Sequence, residues 1–76
     1  MNADALVLIA TIADAGSLTM AARQLGVSQS ALTKQLLKIE ADNGVPLFSR
    51  GVRGVRLTEY GQAVVPRARA IREEAR

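Results

Sequence analysis

Within seven positions the chain sets out Ser28, Gln29, Ser30, Thr33 and Lys34, and three arginines follow at Arg50, Arg53 and Arg56. These side chains hold and orient other molecules; they are poor at making or breaking bonds. Glutamine carries a donor beside an acceptor, hydroxyls do both, and lysine and arginine are fixed cations. What is missing matters equally. The chain has no His, so the usual general base and imidazole ligand are absent, and no Cys, so neither a disulfide nor a thiolate zinc site can form. Tyr60 or a lysine is left as the only base, with no clustered carboxylates to support it. A catalytic reading is therefore set aside, and no metal or cofactor is expected.

The charge is unevenly placed. Residues 1–22 hold Asp4 and Asp14 and nothing basic, whereas residues 23–56 hold six basic side chains against Glu40 and Asp42, a net of +4. A basic middle segment points to a polyanion, most simply nucleic acid. With 76 residues the chain is one small domain, and of its hydrophobic residues, 49% of the whole, 13 are alanines. So small and alanine-rich a core suits closely packed helices better than a sandwich of bulky strands. The apolar run Leu6 to Ala13 is preceded by Asp4 and no basic residue, the reverse of a secretory leader. No stretch approaches the ~20 residues that span a bilayer. The expected setting is the cytoplasm, without a membrane partner.

The elements that must position these side chains are marked by punctuation. Gly16-Ser17 reads as a helix stop followed by an N-cap, and Gly26-Val27-Ser28 repeats it ten residues on. Asn43-Gly44-Val45-Pro46 stops a third helix, since proline cannot continue it. Two short strands around Gly51 and Gly54, within residues 47–57, read as a hairpin, and Thr58-Glu59 caps a last helix. Helix 1 carries Leu6, Ile9, Ala10 and Ala13 at amphipathic spacing, with Leu8 and Ile12 on a second face. Helix 2 repeats the spacing at Leu18, Ala21, Ala22 and Leu25, its small residues admitting another helix.

In helix 3, at about 100° per residue, Leu32, Leu36 and Ile39 share a narrow arc. Ser30, Thr33, Lys34 and Leu37 then lie opposite, with Gln29 flanking them in the first turn. Helix 2, a turn through Gly26, and helix 3 make a helix-turn-helix over about 18–37 whose outward face is free to enter a major groove. Glutamine can bond adenine twice, lysine can donate to guanine, and a threonine methyl can touch thymine. Ser28 and the helix N-terminus suit a phosphate. Arg50, Arg53 and Arg56 lie on or beside the strands of the hairpin, with Arg53 at its tip as a wing reaching backbone or minor groove. The competing reading is a small helical protein-interaction module whose basic face is accidental.

The segments Gly16-Ser17-Leu18, Ala21-Ala22, Leu25, Val27-Ser28-Gln29-Ser30-Ala31-Leu32-Thr33, Gln35-Leu36, Glu40, Gly44-Val45-Pro46-Leu47-Phe48, Arg50, Arg53-Gly54-Val55, Leu57-Thr58 and Gly61 resemble the N-terminal winged helix-turn-helix of LysR-type transcriptional regulators. The resemblance implies an all-α winged helix-turn-helix over residues 1–58 and a linker helix over 59–76. It also implies sequence-specific binding of double-stranded operator DNA, an inverted repeat, by recognition helix 29–42. Matched position by position, Ser28, Gln29, Ser30, Thr33 and Lys34 fall where the family touches DNA, with Arg53 on the wing. Leu37 departs from the pattern, standing where many relatives carry a basic residue. The family's effector domain lies outside these residues, so the chain is expected to be a DNA-binding fragment.

The last helix has its own pattern. Val64, Ala68, Ile71 and Ala75 alternate three and four apart, the seam of a short coiled coil interrupted by the bend expected at Pro66. That seam, together with the second face of helix 1, predicts a homodimer through the last helix, and a tetramer is open to a longer chain.

Overall fold

A computed structural model describes residues 1–74 of the chain, so Ala75, one of the four expected seam positions, lies outside the described residues. The order is α1 (Ala3–Ala15), α2 (Leu18–Leu25), α3 (Gln29–Asn43), β1 (Phe48–Gly51), β2 (Gly54–Leu57) and α4 (Glu59–Glu74). Each boundary has a local cause. Ser17, Ser28 and Thr58 accept hydrogen bonds through their hydroxyls from the backbone amides of Met20, Ala31 and Gly61, each at 3.1 Å. They thus satisfy amides that the first helical turn leaves unpaired. Gly16, Gly26 and Gly44 end the three preceding helices in the left-handed conformation. Asn2 caps α1 in the same way, accepting from the Ala5 amide at 2.8 Å.

One core serves the described residues. Leu6, Ile9, Ala10 and Ile12 of α1 meet Leu18, Ala21 and Ala22 of α2. Leu32 and Leu36 come from α3, Leu47 and Phe48 from the entry to the hairpin, and Val65 and Ala68 from α4. The alanines of α2 are almost completely enclosed, which is what a close helix–helix approach requires. Two expectations are corrected here. Ile12, placed on a second face of α1, is fully buried in the core, and only Leu8 remains partly exposed. Ala68, placed in the seam of α4, is fully buried by its own chain, whereas Val64 and Ile71 are only partly covered. The reason is common to both: α1 and α4 pack against each other, so the faces they turn to one another are spent within the chain.

The hairpin is antiparallel, with Phe48 opposite Leu57, Ser49 opposite Arg56, Arg50 opposite Val55 and Gly51 opposite Gly54. Val52 and Arg53 form the turn between them. Three ties fix the hairpin to the helices. The Glu40 carboxylate accepts from the Leu47 and Phe48 amides at 2.6 and 3.1 Å, tying α3 to β1. The Val55 amide donates to the Gly16 carbonyl at 3.1 Å, tying β2 to the turn between α1 and α2. The Thr58 hydroxyl donates to the Pro46 carbonyl at 2.6 Å while it caps α4. Gly54 lies so close to this junction that a Cβ would run into the Gly16 carbonyl oxygen.

Candidate nucleic-acid interface

The outer face of the molecule is built around the first turns of α3. Leu32 and Leu36 lock this helix into the core, so the side chains set half a turn away must face solvent. Ser28, Gln29, Ser30 and Lys34 are exposed, and Thr33 is half-buried beside them. The predicted face is thus assembled as one surface. Leu37, which lies on the same face, is 52% exposed, an apolar side chain with nothing over it.

Local bonds narrow what each group can do. The Ser28 oxygen already accepts from the Ala31 amide and lies 3.3 Å from the Ser30 hydroxyl. Its cap is therefore in use, and only its own proton or a remaining lone pair is available to another molecule. Gln29 is engaged as well: the Thr19 hydroxyl of α2 donates to its Oε1 at 2.8 Å. Nothing in the spacing of Thr19 marks it, because it lies ten positions away on a different helix. The signal available was its place in the first turn of the helix that packs behind α3.

The hairpin brings the basic side chains to this face selectively. Arg53 stands in the exposed turn beside Val52, whose side chain is completely exposed. Side chains alternate across a two-stranded sheet, so Arg50 shares the face of Phe48, Val55 and Leu57, at its far end beyond the core. Arg56 points to the opposite face with Ser49. Arg50 and Arg53 consequently line one open cleft with Thr19 and Gln29, between the start of α2 and the wing, while Arg56 does not. Of the acidic groups nearest in sequence, Glu40 spends its carboxylate on the hairpin amides. The cleft thus has cationic walls and a donor–acceptor floor. Such a site suits a negatively charged, hydrogen-bonding ligand that lies along it.

Asp14, at the end of α1, accepts from Arg69 through Nε and NH2 at 3.0 and 2.8 Å and from Arg72 at 2.6 Å. The hydrogen bonds of Arg72 and then Arg69 hold its carboxyl below the ordinary value of 3.8. Two of the basic groups of α4 are thereby committed to holding α4 on α1. Among the described residues no cluster of His, Cys, Asp or Glu could hold a metal ion, and no helix is long and apolar enough to cross a membrane.

Known proteins share this arrangement. The small neutral protease regulatory protein of Streptomyces coelicolor is 52% identical over 63 residues, 83% of this chain and 20% of that protein. The HTH-type transcriptional regulator TcbR of Pseudomonas sp. strain P51 is 45% identical over 64 residues, 84% of this chain and 22% of its own length. The chain thus spans about a fifth of these regulators. The crystal structure of a CbnR_DBD–DNA complex superposes with a TM-score of 0.87 at 41% identity, over 99% of this chain and 86% of that one. A family model for the bacterial regulatory helix-turn-helix protein, lysR family, matches residues 3–62. With that match covering most of the chain, and with the four helices and two-stranded wing in the same arrangement, this protein belongs to the lysR family of bacterial regulatory helix-turn-helix proteins.

Proposed function

We propose that this chain is the DNA-reading module of a cytoplasmic transcriptional regulator and has no catalytic role of its own. It binds double-stranded DNA by placing α3 in a major groove. One observation carries this reading: Gln29 at the start of α3 lines a single cleft with the wing arginines Arg50 and Arg53, while the other face of the same helix is sealed in the core. Gln29, Thr33 and Lys34 then meet base edges, Ser28 and Ser30 meet backbone at the helix N-terminus, and Arg50 and Arg53 follow the phosphates or the minor groove. The matched complex of CbnR_DBD with DNA supports it by analogy of fold and of 41% of the residues.

Residues 1–58 supply the contact surface in this reading, and residues 59–76 supply assembly. Val64 and Ile71, only partly covered by their own chain, are the described seam positions left to meet a second copy. Two copies related by a two-fold axis present two α3 helices to an inverted repeat. Selection of bound duplexes from random DNA tests the proposal. The expected result is enrichment of a short site in inverted repeat. Failure to enrich any sequence, with no retention on duplex DNA at low salt, would return the chain to a protein-interaction role.

A further inference from the structure

We propose that Thr19 is a positioning residue for sequence readout: through its hydroxyl it fixes which way the Gln29 amide faces. The inference rests on Gln29 being a base contact, as above. It starts from the 2.8 Å bond in which Thr19 Oγ1 donates to Gln29 Oε1, between two exposed side chains on different helices. Side chain to side chain bonds are a minority in proteins, and an exposed neutral one adds little to stability. Its effect is orientation. The terminal torsion of a glutamine is broad and close to two-fold, so a free Gln29 presents donor and acceptor in either order.

In the bond seen here Oε1 is turned toward α2, which sets one order of donor and acceptor. The Nε2 group keeps both protons, and the carbonyl keeps one lone pair beside them. A donor next to an acceptor in fixed order complements the N7 and N6 edge of adenine, and reversing the order loses the match. Thr19 has a single proton and spends it on Gln29. It cannot at the same time donate to a phosphate, although it lines the same cleft as Arg50 and Arg53. Thr19 therefore acts through Gln29, and the base pair under Gln29 is expected to be A·T.

The test is a double-mutant cycle with Thr19→Val, Thr19→Ser and Gln29→Ala. Binding is measured on the duplex that the parent chain selects, on its single base-pair substitutions and on a scrambled duplex. Gln29→Ala should cut discrimination at one base pair by about 5- to 150-fold. Thr19→Val should cut it by about 2- to 10-fold at the same base pair, leave scrambled DNA unaffected, and do nothing further once Gln29 is alanine. Thr19→Ser, which keeps the hydroxyl, should behave as the parent. Melting curves separate any loss of fold from loss of readout, with Thr19→Ala as a second variant. Equal weakening on every duplex, additive with Gln29→Ala, would make Thr19 a direct backbone contact and overturn the inference. So would parent-like discrimination by Thr19→Val. If Gln29→Ala itself leaves discrimination intact, the reading of Gln29 falls and takes this inference with it.

Discussion

Asp14 shows how much a single side chain can be asked to do in so small a protein. It receives three hydrogen bonds from two arginines and so fastens the end of α1 to α4. Its carboxyl is held below 3.8 in the folded chain. A carboxyl with a lower value folded than unfolded adds stability that is complete above the unfolded value and is lost as pH falls through the folded one. Parent and Asp14→Asn should therefore differ in melting temperature at neutral pH and converge as pH drops below that of an ordinary aspartate. With Asp14 37% exposed, the neutral-pH difference should be about 1 kcal/mol or less. At this scale the sequence was legible where a residue acts on its own neighbours. Ser17, Ser28 and Thr58 are caps by type and position, and they cap. Thr19 on Gln29, Glu40 on the Leu47 and Phe48 amides, and Asp14 on Arg69 and Arg72 were not legible. Each joins residues on different elements, and periodicity carries no information about which elements meet.

The wing is the element whose placement decides how the two arginines meet the cleft. It is held by the Val55 to Gly16 bond, and Gly54 is where the chain has no room for a side chain. Gly54 has φ +112 and a Cβ there would strike the Gly16 carbonyl, whereas Gly51 has open space around it. Gly54→Ala should accordingly cost about 1–3 kcal/mol of stability and weaken DNA binding by displacing the wing. Gly51→Ala should be close to parent in both thermal unfolding and binding titration. The same element shows what patterning can deliver. Two glycines around a basic turn announced a hairpin with Arg53 at its tip, and β1 and β2 meet across Val52 and Arg53. The helices were legible from spacing for the same reason. Which apolar face meets a partner was not, because Ile12 and Ala68 satisfy the spacing of an outer stripe and are nonetheless buried within the chain.

At the scale of the whole molecule, the chain extends 31 by 26 by 20 Å and presents one α3. Successive major-groove faces of a duplex are about 34 Å apart, so one copy covers one half-site and an inverted repeat calls for two. Val64 and Ile71 are the described positions expected to join them. Val64→Asp with Ile71→Asp should convert a dimer to monomer in sedimentation and reduce the affinity for a two-half-site duplex towards that for one. Because both side chains also rest on the core, the serine pair serves as the milder variant. An unchanged sedimentation profile in a folded variant would place the interface elsewhere.

The outer face of α3 is expected to read sequence. This is tested most directly by measuring, at one salt concentration, the affinity of the parent and of Gln29→Ala with Thr33→Ala for the selected duplex and for a scrambled duplex of equal length. The parent should prefer its own site by about a thousandfold or more, within the range usual for specific binding. The double variant should lose about 1–3 kcal/mol of that preference for each side chain while holding scrambled DNA as the parent does, since Arg50, Arg53 and the helix amides are untouched. A preference that survives both substitutions would mean that the outer face of α3 does not read sequence.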